Sequence, residues 1–250
     1  MSKRSSAQHL TTARTYRTTS EPIFSRDMKS SATDASTRDN TLTKTDSAYD
    51  CLEALIVTLE LEPGSTHSEQ DLAARTGIGR TPVREALHRL EADRLVRIVP
   101  RVGILITEID GLAYLDALDT RTVLDELIAA LAARRATPDD RRELRECAAL
   151  MQQAVAGGDT ERFMALDRAC DEALGRAARN VFAMDAVRPL HAHSRRFWFR
   201  HRHADDALES AVLHAAMLLA VADGDEGAAE RASRDLSHYL DEFTRRALDF

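Results

Sequence analysis

The chain has 250 residues, 44% of them hydrophobic and 30% charged, with a formal net charge of −7. That is enough for one large or two modest globular domains. No apolar run approaches the ~18 residues that span a bilayer, and the polar N-terminus lacks the apolar core of a secretory signal. Cys51, Cys147 and Cys170 are odd in number and widely spaced. They read as reduced thiols of a cytoplasmic protein, not a disulfide frame.

Charge is unevenly placed. Residues 1–44 hold eight basic and four acidic side chains, and residues 75–101 hold seven arginines against Glu85, Glu91 and Asp93. An arginine cluster in an otherwise acidic chain points to a local anionic partner.

In chain order, residues 1–45 are rich in Ser and Thr and poor in large apolar residues, so a disordered tail is expected. Order begins near Ser47. "SAYDCLEALIVTLELEPG" carries Tyr49, Leu52, Leu55, Ile56 and Leu59 at helical spacing and is ended by Pro63-Gly64. "SEQDLAARTG" is a second helix, with Ser68 as N-cap, Asp71 at the capping-box position and Gly77 as terminator. "RTPVREALHRLEAD" is a third, turning Val83, Ala86, Leu87 and Leu90 inward. "LVRIV" and "GILIT", split by Pro100–Gly103, read as a small hairpin. From Gly111 onward the pattern is helical throughout, with helices expected near 111–136, 138–157, 160–178, 181–200, 206–223 and 226–248. Turn and capping residues separate them. The fold class is therefore mainly α. A winged helix-turn-helix over 46–108 precedes an all-α bundle over 109–250.

In a winged helix-turn-helix the third helix enters the major groove by its N-terminal end. Arg80 and Arg84, four apart, project from one face of that helix, opposite Val83, Leu87 and Leu90. Arginine can bond bidentately to guanine, and Thr81 can meet a phosphate or a base edge. Gly103 at the hairpin tip, with Arg101 beside it, would let the backbone approach the minor groove. The stretch "LEPG…SEQDLAARTGIGRTPVREALHRLEADRLVRIVPRVGILIT" resembles the DNA-binding domain of the GntR family of bacterial transcription regulators over about 60 residues. The resemblance implies DNA contacts by Arg80, Thr81, Arg84 and the wing at Arg101–Gly103. Two positions depart from the family pattern. Gln70 stands where many members have Arg, and Gly79 where Ser or Thr is usual. Both remove or weaken a phosphate contact, which lowers non-specific affinity more than sequence choice.

The helical half resembles the FCD ligand-binding domain of the FadR-type branch of that family. "TRTVLDELIAALAA" is similar to its first helix, with Arg121 at the usual arginine. "LDRACDEALGRAARN" is similar to its Asp-rich helix, and "LHAAMLLAVADGD" and "DLSHYL" to its last two. The resemblance implies a divalent metal, zinc foremost with manganese, nickel or iron as alternatives, held by Asp167, Asp171, His214 and His238. Asp171 stands where the family has His. Independently, Asp167 and Asp171 share one helical face, and two buried carboxylates side by side require a cation or a proton. His214 shares a face with Met217, Leu218 and Val221. An open metal position beside Arg121 suits a small organic acid, the effector class that the resemblance implies. In "RPLHAHSRRFWFRHRH", residues His191, Ser194, Arg195 and Trp198 fall on one stripe. Either His191 and Arg195 line the effector pocket, or the stripe is an aromatic core face with its basic residues in solvent.

The expected function is a homodimeric, cytoplasmic, nucleoid-associated transcriptional regulator on double-stranded DNA with a palindromic operator. It has no membrane partner and no catalytic residues. A helical metalloprotein or metalloenzyme using Asp167, His214 and His238 is the alternative. A third reading is a nucleic-acid-binding protein whose helical dimer domain has no ligand.

Overall fold

The computed structural model describes residues 43–203 and 205–249. The tail expected over residues 1–45 lies outside the described residues up to residue 42. Residues 43–45 do not belong to it. Helix α1 spans Lys44–Val57, and Thr43 with Asp46 closes a reciprocal capping box at its start. Two orphan N–H groups are thereby satisfied three residues before the apolar stripe begins. The helix ends before Leu59, which adopts a left-handed conformation instead of extending the stripe.

A short strand, β1 (Thr66–His67), precedes α2 (Glu69–Thr76). Ser68 and Asp71 form the expected capping box, and Gly77 ends α2 at φ 67°. Helix α3 (Arg80–Ala92) buries Val83, Ala86, Leu87 and Leu90, as its spacing predicts. Its N-cap, Gly79, supplies no side-chain hydrogen bond. Strands β2 (Val96–Val99) and β3 (Gly103–Ile106) pair antiparallel, Val96 opposite Ile106 and Val99 opposite Gly103. The hairpin is one strand richer than its sequence implies, because β1 adds to β3 and the sheet order is β1-β3-β2. Two residues are too few for a period-2 pattern to show. Gly103 owes its identity to this pairing. At φ 129°, a Cβ there would stand 2.6 Å from the His67 carbonyl oxygen. Tyr49, Leu52, Ile56, Leu72, Leu87, Leu90, Leu95 and Ile104 join in one core between the helices and the sheet.

Six further helices follow: α4 (Gly111–Arg135), α5 (Pro138–Ala156), α6 (Thr160–Ala178), α7 (Val181–His201), α8 (Asp206–Asp223) and α9 (Glu226–Ala247). The separating turns provide the caps: Asp110, Thr137 with Asp140, Asp159, Asn180 and Asp225 accept from the first-turn N–H groups of α4, α5, α6, α7 and α9. The three cysteines are free thiols. No described helix is long and apolar enough to cross a membrane.

Helix α7 belongs to both halves. It packs against α4 and α6 in the bundle and against α1 in the winged module, whose core Ala192 joins.

Candidate functional site

The first arrangement lies on α3 and the wing. Arg80, Thr81 and Arg84 are exposed at the start of α3, on the side away from Val83 and Leu87. Arg84 remains 62% exposed while its Nε and Nη2 fork onto Glu69 of α2, at 3.1 and 2.8 Å to Oε2. That fork ties the two helices of the turn and pre-orients the guanidinium. Arg80 has no ion-pair partner among the described residues. Arg101 is exposed at the wing turn at φ 65°, next to Val102, which is 64% exposed. Gly103 lies one step inside that turn, on β3.

The second arrangement is buried where α4, α6, α7 and α8 meet α1. Arg195 of α7 stands between two carboxylates of α6. Its Nη1 donates to Asp171 Oδ2 at 2.9 Å and lies 3.4 Å from Asp167 Oδ2. Its Nη2 donates to Glu53 Oε1 of α1 at 3.0 Å. One turn earlier on α7, His191 faces Asp125 through Nε2 at 2.7 Å and Asp171 through Nδ1 at 3.1 Å. Asp125 also accepts from Arg121 Nε at 2.7 Å. His214 faces Asp167 Oδ1 through Nε2 at 2.9 Å and the Ser210 carbonyl through Nδ1 at 2.8 Å. All these side chains are nearly inaccessible.

Both histidines have an acceptor at each ring nitrogen, a geometry that only the doubly protonated ring satisfies. Burial opposes charging His191, yet Asp171 and Asp125 outweigh it and push its pKa up to about 9. His214 is raised against burial by Asp167 in the same way. Asp125 is held at about 2, because His191 and Arg121 overcome the burial that alone would raise it. The cluster is therefore balanced, with Arg121, Arg195, His191 and His214 against Glu53, Asp125, Asp167 and Asp171.

Of the four metal ligands expected from the sequence, Asp167, Asp171 and His214 come together and His238 does not. Its side chain is 73% exposed and lies beside Glu242 on the outer face of α9. That helix buries Ser233, Leu236, Ser237, Leu240 and Phe243, and one residue beyond Ser237 is a turn of about 100° away from the core. The remaining donors do not fit a resident metal. Metal binding needs neutral imidazoles, whereas both rings here spend their nitrogens on acceptors, and the Arg195 guanidinium occupies the space between the carboxylates. Among the described residues no group of three His, Cys, Asp or Glu side chains is poised to hold a metal ion. The metalloenzyme alternative loses its footing for the same reason.

His191, Ser194, Arg195 and Trp198 do form a buried stripe, and Arg121, His191 and Arg195 line one small cavity of about 20 Å³ with Phe163 and Trp198. That is room for about one water molecule. The basic residues of the stripe are not in solvent, since His191 and Arg195 are both buried. Sequence reasoning missed Glu53 and Asp125. Glu53 had a signal: with Tyr49, Leu52 and Ile56 it completes an i, i+3, i+4, i+7 stripe, so an acid sits in the apolar face of α1. Asp125 had a weaker one, its i+4 spacing from Arg121.

A three-helix module with a wing, carried on a helical bundle with a buried ionic centre, defines a DNA-binding regulator of two functional parts. Residues 44–106 match the family described as bacterial regulatory proteins, gntR family, and residues 116–238 match the FCD domain. A transcriptional regulator from an unstable DNA locus of Streptomyces ambofaciens is 33% identical over 187 residues, 73% of this chain and 77% of that protein. The regulator McbR of Escherichia coli K12 is 35% identical over 109 residues, 43% of this chain and about half (49%) of that protein. The solved structure of E. coli McbR/YncC superposes with a TM-score of 0.72 at 20% identity, over 82% of this chain and 99% of that one. A putative GntR regulator from Rhodococcus sp. RHA1 gives 0.60 at 21%, over 82% and 98%. The chain belongs to the GntR family of transcriptional regulators, in the FadR-type branch that carries an FCD domain.

Proposed function

We propose that this regulator reads a palindromic operator as a homodimer and that a small organic acid at the buried cluster sets its affinity. In this reading residues 46–108 are the reading domain and residues 109–250 the effector and dimer domain. The DNA contacts are Arg80, Thr81 and Arg84 at the N-terminal end of α3, with the wing at Arg101–Gly103. Val123 and Leu127 on α4, and Leu208, Val212 and Leu219 on α8, are exposed apolar side chains on two helices that pack together. They support self-association of like faces about a two-fold axis. In this reading the acid is received by Arg121, His191 and Arg195 without a metal.

The observation that carries the regulatory part is the Arg195 fork, with one arm on the bundle carboxylates and the other on Glu53 of α1. An acid is larger than the one water this cavity holds and would enter only as the helices around it part; accepting from Arg121, His191 and Arg195, it would compete with Asp171 and Asp125, and in drawing Arg195 it would loosen α1. Coupling of this kind is reciprocal and is worth roughly 1–3 kcal/mol in comparable systems. The test pairs gel shifts with a thermal-shift screen of small organic acids. Arg84→Ala is expected to abolish operator binding while the dimer stays folded, and normal affinity in that variant rules out the reading face. Arg195→Gln, which lacks the fork, is expected to show the operator affinity of the acid-bound state and to lose the acid response. An unchanged response rules out the cluster as its receiver.

A further inference from the structure

A second cavity, of about 550 Å³, opens between the winged module and the bundle. One wall is the Asp93–Arg94 turn after α3 and the Thr107–Asp110 segment leaving β3. The other is the first turns of α4, at Tyr114 and Ala117, and the middle of α7, at Leu190 and Phe197. Its size is in the range of small-molecule sites.

Arg196 lines this cleft and is the anomaly of the molecule. It is 1% exposed, yet no carboxylate among the described residues lies within ion-pair distance of it. Its Nη1 donates to Thr107 Oγ1 at 3.1 Å and its Nη2 to the Thr107 carbonyl, while Nε has no hydrogen-bond partner. Burial without a counter-ion lowers its pKa to about 10, against only a weak opposing pull from Glu108. Arg121 and Arg195, as deeply buried, are both paired with carboxylates. The cleft's own acids do not supply the missing charge. Asp93 accepts from the Tyr49 hydroxyl and Asp110 caps α4, while Glu108 and Asp116 are exposed. A buried cation left without its anion is strongly unfavourable. Arg196 lies at the edge of a volume that can admit one. Close by, Tyr114 and Phe197 stack at 4.6 Å, nearly buried beneath the half-buried Leu190 and Ala117 of the lining.

We infer that this cleft binds a small monocarboxylic acid with an apolar body, the carboxylate on Arg196 and the body against Phe197, Tyr114 and Leu190. One negative charge suits the site, because the exposed Glu108 and Asp116 repel a polyanion. The carboxylate takes Nε and competes with Thr107 for the terminal nitrogens. Thr107 also bonds the carbonyls of Arg94 and Leu95 and directly follows β3, so the ligand acts on the seating of the wing. The site is separate from the bundle cluster of the preceding proposal and does not depend on it.

The test is calorimetry on the full chain with benzoate, 3-phenylpropionate and octanoate, alongside 3-phenylpropanamide and 3-phenylpropylamine. At least one carboxylate is expected to bind saturably, with the amide and the amine at least tenfold weaker. Ala117→Trp, which fills the cleft from α4 and leaves Arg196 itself unaltered, is expected to weaken that carboxylate at least tenfold. Arg162→Gln, exposed on α6 and away from both cavities, is expected to leave it unchanged. Arg196→Met is expected to behave as Ala117→Trp does, and if it fails to fold the cleft-filling variant decides alone. Saturable binding by none of the three acids overturns the inference, as does equal binding of the amide or the amine. So does full binding by Ala117→Trp, which places the acid outside the cleft.

Discussion

Arg195 bridges three carboxylates drawn from two helices, Asp167 and Asp171 on α6 and Glu53 on α1, and shares their neutralisation with His191, His214 and Arg168. Removing one partner of such a buried set leaves charge without compensation, so Arg195→Ala is expected to destabilise the fold by about 3–5 kcal/mol. A denaturant midpoint close to that of the wild type contradicts this. His191 gives the cluster a pH signature. Its pKa rises from 6.5 unfolded to about 9 folded. The stability it contributes is therefore fully present below pH 6.5 and is lost as pH rises through 9, an effect of about 3 kcal/mol. Asp125, held at about 2 from an ordinary 3.8, contributes above pH 3.8 and loses that contribution as pH falls through 2. Melting temperature is expected to be highest between these limits and to fall from pH 6.5 to 9.5, with the alkaline decline reduced in His191→Gln. A wild-type profile flat over that alkaline range counts against a charged His191.

At the scale of elements, two glycines mark the DNA-reading module, and they do different things. Gly79 is the uncapped start of α3. Gly79→Ser is expected to raise stability by only a few tenths of a kcal/mol, because glycine is itself a tolerable N-cap. The added hydroxyl can meet a phosphate, so it should tighten operator and random DNA alike, read by parallel gel shifts. Gly103 sits at φ 129° with the His67 carbonyl in the space of a Cβ. Gly103→Ala is expected to cost about 1–3 kcal/mol through backbone strain and to splay β1 from β3. A wild-type melting temperature in that variant refutes the steric account. The glycine thus serves the third strand of the sheet, and the exposed Arg101 and Val102 form the tip that precedes it.

For the whole molecule, α7 is the member that both parts share. Arg195 reaches Glu53, His193 reaches the Asp93 carbonyl at 2.8 Å, and Arg196 reaches Thr107, all from about one turn of one helix. A helix is stiff, so a shift at any of these points is carried to the others. The two proposed ligand sites flank it, one inside the bundle and one in the cleft. The response to acids at each is separable by Arg195→Gln and Ala117→Trp.

The amino-acid pattern alone determined the local elements, because caps, apolar spacing and turn residues act within a few positions along the chain. Ser68 with Asp71, Gly77, the Val83–Leu90 face and the turns between the bundle helices all needed no distant partner. The family resemblance was equally legible, carried by the "RTPVREAL" stretch and the wing. Tertiary structure decided what surrounds each charged group. Asp167 and Asp171 asked for a cation by their spacing, and only the packing of α7 against α6 made that cation Arg195. His238 and Leu236 differ by two positions on α9, and helix orientation alone sets which of them faces inward. Arg196 reads as an ordinary charged helix residue until the winged module docks on α7, and Glu53 shows only as an acid in an apolar stripe, since partners 89 and 142 residues away leave no local trace.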